Sequence, residues 1–194
     1  LNAEVAYHDD KKEKDATKRR KNFIKAYEDI VLDNPEDLEA KALLVCRRWQ
    51  FNRKGIPITS HVGMDAILEQ IFVKNQNHPA HHYAIHLWDY RNHKQALDSA
   101  ARLGQTAPNI AHMWHMPGHI YSKAKRFQDA MWQQQASARV DHKHMMKWFL
   151  LPDQIHNYAH NNEWLSRNFS HLGMVRASID MAKSLLGNPR HPKL

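Results

Sequence analysis

The fold of this chain is decided by a stretch in its second half, Trp114-His115-Met116-Pro117-Gly118-His119-Ile120-Tyr121-Ser122-Lys123-Ala124-Lys125-Arg126-Phe127-Gln128-Asp129-Ala130. Gly118 and Ala130 are small residues, which let the two helices of a pair approach each other closely. Tyr121 and Phe127 add large apolar surface to the same stretch. The stretch therefore predicts two helices that pack as a pair.

The same features recur at a fixed interval along the chain. Ala96 precedes Ala130 by 34 residues, and His81 precedes His115 by the same 34 residues. This offset is the length of one helix–turn–helix repeat in arrays whose units bury their apolar faces only against neighbouring units. The sequence therefore predicts an all-α fold built from antiparallel helix pairs.

The composition agrees with an all-α fold. The chain has 194 residues, of which 42% are hydrophobic and 25% charged, so it can bury a core. Six Gly and eight Pro are too few for the frequent turns of a β-sandwich or barrel. No apolar run approaches the 18 or so residues of a transmembrane helix, and the mean hydropathy is −0.74. The single cysteine, Cys46, excludes an internal disulfide and a cysteine-based zinc cluster, and we expect it to be buried.

We expect two regions along the chain. Residues 1–21 are a charged N-terminal helix or tail, in which basic and acidic residues alternate as on a solvated helix face. Residues 22–194 form the helical repeat array. A long inter-helix turn is expected near residues 52–60, and an insertion near residues 142–155. Because the chain begins at Leu1 and not at Met, we expect it to be a piece of a longer protein.

Trp114, Gly118, Tyr121, Phe127 and Ala130 fall at the signature intervals of the tetratricopeptide repeat (TPR). From about residue 22 onward the chain resembles a TPR-like array. More narrowly, its His-Pro and His-Met-Pro-Gly-His segments resemble the histidine-rich TPR segments of large, secreted multidomain bacterial proteins, some of which carry redoxin-like domains. The resemblance implies a TPR-like antiparallel helix-pair solenoid and an extracytoplasmic location, periplasmic or secreted. It implies no established activity.

One position departs from the TPR pattern. Pro117 stands where the repeat has Leu, and proline in a helix interior costs about 3 kcal/mol. We expect it to kink the helix and to free the carbonyl near Met113.

The resemblance also implies a concave groove lined by the opening helices of the repeats. The residues that it places there are His78, His81, His112, His115, His119 and Asn162. Large aromatic residues are expected to supply the packing area between units; they are Tyr121, Phe127, Trp132, Trp148, Phe149 and Trp164.

The chain contains 16 histidines, where an ordinary composition gives about four or five. A helix over residues 78–93 is expected to align five side chains on one stripe, since spacings of three and four share a helix face. These residues are His78, His82, His86, Asp89 and His93. Three opening helices each carry a His-x3-His pair, and the pairs are His82/His86, His115/His119 and His156/His160.

Two imidazoles four residues apart on a helix can bind one metal ion at about 2.0–2.1 Å. The predicted ligands are His78, His82, His86, His112, His115, His119, His156 and His160. The predicted groove or supporting residues are His81, Asp89, Asn161, Asn162 and Glu163, together with Asn157 and Tyr121. Imidazole ligation without thiolate suits copper, zinc, nickel or iron. The alternative is that these histidines are repeat residues that only pack, and His8, His61, His142, His144 and His191 are interpreted in that way.

Two functions remain open at this stage. One is a protein-interaction scaffold with a histidine-rich, metal-binding site in or near its groove. The other is a metalloprotein or metalloenzyme, an oxidoreductase or hydrolase that uses a histidine-ligated copper, zinc or iron ion. The net charge of +8 favours an acidic protein or peptide partner, and the lack of a basic aromatic platform disfavours nucleic acid. No Gly-x-Ser-x-Gly or His-Glu-x-x-His motif occurs, so the sequence establishes neither an enzyme nor an oligomeric state.

Overall fold

The structure is a computed structural model that describes residues 2–190 and residue 192; His191 lies outside the described residues. Within that part of the chain all regular structure is helical and no strand occurs, which confirms the predicted all-α class. The α-helices are α1 (Asn2–His8), α2 (Ala16–Asp33), α3 (Leu38–Asn52), α4 (His61–Lys74), α5 (His81–Trp88), α6 (Leu97–Thr106), α7 (Ala111–Lys123), α8 (Phe127–Trp148), α9 (His156–His171) and α10 (Val175–Gly187). Short 3-10 turns cover His93–Ala96 and Pro152–Gln154. None of the described helices is both long and apolar enough to cross a membrane.

The chain divides into two compact units, Leu1–Leu87 and Trp88–Leu194. In the first unit α1 packs against α2, α2 against α3 and α3 against α4. Three of these helices start at capping side chains: Asp15 accepts from the backbone N–H of Thr17 at 2.7 Å, and Asp37 and Ser60 play the same part for α3 and α4. The expected boundary after residue 21 falls inside α2, and the N-terminal helix α1 covers Asn2–His8.

The core of the first unit is aromatic and aliphatic. Phe23, Tyr27 and Phe51 are buried together with Leu44 and Ile56, and Tyr7 of α1 packs against them with its ring centroid 5.1 Å from that of Phe23. Cys46 is buried nearby on α3, as expected from the sequence.

In the second unit α6 to α10 pack in sequence, and α7 also packs against α9. The last contact brings together the opening helices of two successive pairs, as the repeat length predicts. Gly104 of α6 makes one of the close approaches possible, because a Cβ atom there would lie 2.3 Å from the Trp114 ring on α7. Pro117 lies inside α7, which continues from Ala111 to Lys123 without interruption.

Several expectations about packing and helix length are wrong. Trp132, Trp148 and Phe149 are 56%, 58% and 93% exposed, so they do not fill the space between helices. Residues 142–148 continue α8, and of the side chains in those last turns only that of Met145 is buried.

The predicted helix over residues 78–93 is also shorter than expected. α5 begins at His81 because Pro79 disfavours helical backbone at His78, and the chain turns after Trp88 through a hydrogen bond from the N–H of Arg91. His78, Asp89 and His93 therefore do not share the stripe of His82 and His86.

Candidate metal centre

His115, on α7, is held in one orientation by two side-chain oxygens. Its Nδ1 lies 2.9 Å from Gln134 Oε1 and 3.1 Å from Asn161 Oδ1, and its side chain is almost fully buried. The amide of Asn161 donates to the backbone carbonyl of Gln134 at 2.8 Å, which requires that its oxygen, and not its nitrogen, face the imidazole. Because both partners of Nδ1 are acceptors, Nδ1 carries the proton and donates it. The lone pair of His115 is therefore on Nε2.

His119 lies one helical turn further along α7 and presents its own Nε2 to that lone pair. The two Nε2 atoms are 2.8 Å apart. On the far side of the His119 ring, Nδ1 lies 3.5 Å from Asp89 Oδ2, an ion-pair distance that is longer than a good hydrogen bond. With its proton on Nδ1, toward Asp89, His119 offers a second lone pair at Nε2; with its proton on Nε2, it donates a hydrogen bond to His115. Trp164 of α9 stacks on a face of the His119 ring, with the two ring centroids 4.2 Å apart.

His160, on α9, completes a cluster of three imidazoles. Its ring centroid lies 4.8 Å from that of His115 and 5.8 Å from that of His119. One ring nitrogen of each histidine lies within 4.8 Å of the other two. Whereas His115 and His119 are buried, the His160 side chain is 37% exposed and stands at the rim.

Burial keeps two of these imidazoles neutral. Burial, together with the positive charge that His119 would carry, lowers the pKa of His115 to about 3. Burial also lowers the pKa of His160, again helped by its histidine neighbours. Neutral imidazole is the form that binds a metal ion, so His115 and His160 are in their ligating state at neutral pH.

The Asp89 carboxylate beside the cluster stays ionised. Its burial opposes ionisation, but the neighbouring imidazole of His119 and the hydrogen-bonded ammonium group of Lys123 outweigh that effect and lower its pKa. Lys123 Nζ lies 2.6 Å from Asp89 Oδ1, so the carboxylate is fixed between a cation and an imidazole. A carboxylate behind a histidine in this way orients the ring and makes it a better ligand.

The spacing of the nitrogens is close to what one metal ion requires. Nitrogens bound to one ion at about 2.0–2.1 Å can be no more than about 4.2 Å apart. The Nε2 atoms of His115 and His119 already meet this limit at 2.8 Å, and all three nitrogens lie within 4.8 Å of one another. His160, which is partly exposed, is the residue that can turn inward. The arrangement can therefore hold a metal ion with three imidazoles.

Comparisons with known proteins support the fold. Solved structures of MamA match the chain with TM-scores of 0.67 and 0.66 at 12% identity, covering 88% and 95% of this chain and 88% and 90% of MamA. A MamA double mutant matches with a TM-score of 0.67 at 10% identity, over 95% of this chain and 92% of its own. The chain is similar in fold to MamA. No protein-family model and no curated sequence matches it. The likeness confirms the predicted TPR-like helix-pair fold.

The other predicted ligands of the first unit are placed differently. His82 and His86 lie on α5 with their Nε2 atoms 2.9 Å apart, and Trp49 stacks on His86. His78 uses both ring nitrogens, since Nε2 lies 3.1 Å from Glu39 and Nδ1 accepts from a backbone N–H. His81 lies 2.9 Å from a backbone carbonyl and is stacked on a phenylalanine. His78 and His81 are buried and do not line an open groove.

In the second unit, His112 and His156 flank the cluster without joining it. His112 Nδ1 lies 3.3 Å from Asn157, which in turn donates to the buried Asp141 at 2.6 Å. His156 is exposed and stacks on His160 with centroids 5.6 Å apart. His115 and His119, which the resemblance places in a groove, are instead buried between α7 and its neighbours.

Two further residues predicted to support the site lie on α9. Asn162 is buried, and its Oδ1 has no hydrogen-bond partner among the described residues. Glu163 lies 4.0 Å from His160 Nδ1 and pairs with Arg167.

The sequence analysis missed two residues that the site depends on. Gln134 belongs to a run of glutamines that resembles a polar helix surface, yet it is completely buried against His115. A Cβ atom on Gly118 would lie 2.2 Å from Gln134 Nε2, so that glycine makes room for it. Lys123 was missed because its partner Asp89 lies far away in the sequence, beyond the reach of helix-spacing arguments.

A shallow cavity of about 470 Å³ opens beside the cluster. Its lining includes Ile155, Ala159, His160 and Glu163. A metal ion on His160 would therefore be reachable from this cavity.

Proposed function

We propose that this chain is a TPR-like helical scaffold whose second unit binds a first-row transition-metal ion through His115, His119 and His160. The observation that carries the proposal is the 2.8 Å separation of the Nε2 atoms of His115 and His119, a distance at which both nitrogens can bind one ion. A third imidazole stands at the point where it could complete the set.

The chemistry of the donors indicates the class of metal. Three neutral imidazoles with no thiolate suit zinc, copper, nickel or iron(II), whereas calcium and magnesium prefer oxygen ligands. The single cysteine lies in the first unit and takes no part.

The scaffold part of the proposal rests on the fold and the charge. TPR-like arrays present extended surfaces on which other proteins dock, and a net charge of +8 favours an acidic partner. Binding of such a partner should weaken steeply as salt is added, since exposed charges are screened over about 10 Å at 0.1 M salt.

The test is the metal content of protein purified without a histidine tag or a chelator, measured by inductively coupled plasma mass spectrometry. We expect about one equivalent of metal, as set by a three-histidine site, and Zn²⁺ titration by calorimetry should give the same stoichiometry for stripped protein. His160→Gln should lose that binding while keeping the fold, because the side chain is at the rim. His144→Gln is the matched control, since His144 is exposed on α8. Equal metal binding by His160→Gln, His119→Gln and the wild type would refute the site.

A second candidate, a metalloenzyme, is favoured by the cavity beside His160. Three protein ligands with an accessible fourth position are typical of catalytic zinc sites. Visible spectra of the Co²⁺-loaded protein would test it. A change in the bands on addition of azide indicates a position open to exogenous ligands. Spectra that azide leaves unchanged would exclude this candidate while leaving metal binding itself intact.

A further inference from the structure

The C-terminal end of α8 exposes several large apolar side chains to solvent. Met146, Trp148 and Phe149 are 65%, 58% and 93% exposed. Phe149 is the most exposed large apolar side chain in the described part of the chain. These three residues are here called the apolar tip.

Phe149 is held in that position by an unfavourable backbone. It has φ 54° and ψ 41°, the left-handed conformation that glycine usually adopts at the end of a helix. A bulky residue is uncommon there. The helix end is nevertheless closed, because the N–H of Leu150 donates to the Met145 carbonyl at 3.0 Å. The ring is therefore presented outward by an ordered turn.

The exposed charges on the last three turns of α8 are all positive. Arg139, Lys143 and Lys147 are exposed cations on the same helix. The only acid between residues 139 and 151 is Asp141, which is buried and accepts a hydrogen bond from Asn157. Lys147 Nζ lies 5.0 Å from the centroid of the Trp148 ring, which places a cation beside the aromatic residues.

We propose that the apolar tip inserts into the interface of an anionic lipid bilayer, with the neighbouring lysines on the lipid headgroups. Tryptophan and phenylalanine next to lysine are the residues that anchor proteins at the membrane–water interface. A side chain that is 93% exposed has no walls around it, so the tip is a projection and not a groove for a peptide. A bilayer accepts a projecting ring without a preformed pocket, whereas a protein partner or a second copy would need one.

The test is co-sedimentation with vesicles of phosphatidylcholine containing about one third phosphatidylserine, an anionic surface of the kind that attracts basic segments. Vesicles of phosphatidylcholine alone are the comparison. A chelator is present throughout, so that metal on the histidine cluster contributes nothing and the result is independent of the function proposed above. We expect binding to the anionic vesicles and much weaker binding to the neutral ones.

Phe149→Gly is the decisive variant. Glycine suits the left-handed backbone, so this change should preserve or raise thermal stability while it removes the ring. Removing a phenylalanine ring that becomes buried in the bilayer should weaken vesicle binding roughly 10- to 100-fold. Lys147→Ala should weaken it about fivefold. Leu186→Gly is the matched control, because it also replaces an exposed apolar side chain by glycine, on α10. This variant should bind vesicles as the wild type does.

Three results would overturn the proposal. One is equal binding of Phe149→Gly and wild type to anionic vesicles. Another is equal binding of the wild type to neutral and anionic vesicles. The third is concentration-dependent dimerisation of the wild type in size-exclusion chromatography that Phe149→Gly abolishes, without vesicle binding, which would assign the tip to a second copy of the chain.

Discussion

The substitution Gly118→Ala tests both the packing and the site, because the two usual effects of this change have opposite signs. In an open helix, alanine is favoured over glycine by about 1 kcal/mol. Here the new Cβ would lie 2.2 Å from Gln134 Nε2 and 2.6 Å from Gln134 Cδ. The end of a flexible side chain can normally move aside, but Gln134 is completely buried and is hydrogen-bonded to His115.

The size of the expected loss of stability follows from the packing and the hydrogen bond of Gln134. Forcing an extra methyl group into a packed site costs about 1–3 kcal/mol. Displacing the Gln134 oxygen from His115 leaves a buried polar group poorly satisfied, at about 1–3 kcal/mol. Asn161 still accepts from the same imidazole nitrogen, so the lower end of that range applies. After the helical gain is subtracted, we expect a net loss of about 1–3 kcal/mol in the free energy of unfolding.

Urea denaturation followed by circular dichroism measures this loss, with Gly187→Ala as control because no atom lies within 4 Å of the new Cβ at that position. A double-mutant cycle sharpens the test: in a Gln134→Ala background the clash is gone, and Gly118→Ala should become neutral or stabilising. Zn²⁺ affinity should fall about 10- to 100-fold in Gly118→Ala, since Gln134 orients a ligand. A variant as stable as the wild type, with unchanged Zn²⁺ affinity, would show that this account of Gln134 is wrong.

Other predictions concern the buried ionisable groups. Asp89→Asn should lower Zn²⁺ affinity in calorimetry about 10- to 100-fold by removing the carboxylate behind His119, whereas the exposed Asp98→Asn should leave it unchanged. Burial raises the pKa of the Cys46 thiol, so we expect Ellman's reagent to react with it slowly in native protein and quickly in denaturant; fast reaction in the native state would contradict this. Burial also raises the pKa of Tyr83 to about 12, above the value of about 10 in an unfolded chain. The folded state therefore holds this proton more tightly, so the free energy of unfolding should fall as the pH rises from about 10 to about 12, and Tyr83→Phe should make that fall shallower in urea titrations.

Much of the fold could be predicted from the sequence, because the residues that identify a helix pair lie close to one another along the chain. Repeat length, small residues such as Gly118 and the turn region before α4 all follow from neighbours along the chain. Helix ends were less predictable. Pro79 shortened α5 at its start, and the continuation of α8 to Trp148 left aromatic residues exposed where packing was expected.

The candidate site was predictable only in part. The spacing of His115 and His119 follows from the helical repeat, and His160 follows from the next opening helix. Eight histidines fitted the same spacing, however, and sequence spacing does not show which of them are buried beside acceptors. Gln134 decides the tautomer of His115 from a different helix, and such contacts depend on tertiary packing that one-dimensional patterns do not contain.

The hydrogen bond between His115 and Asn161 joins residues 46 positions apart in the chain. The three imidazoles therefore cannot meet until α8 has formed and α9 has docked on α7. A growing chain that has not yet reached His160 has only the α7 histidines of this cluster, so binding of the proposed ion by the full set would be a late event in folding. Closing a loop of this length is entropically slow compared with forming a helix. If the proposed site binds metal, the rate of metal uptake during refolding should therefore follow the docking of α9 and not the formation of helix.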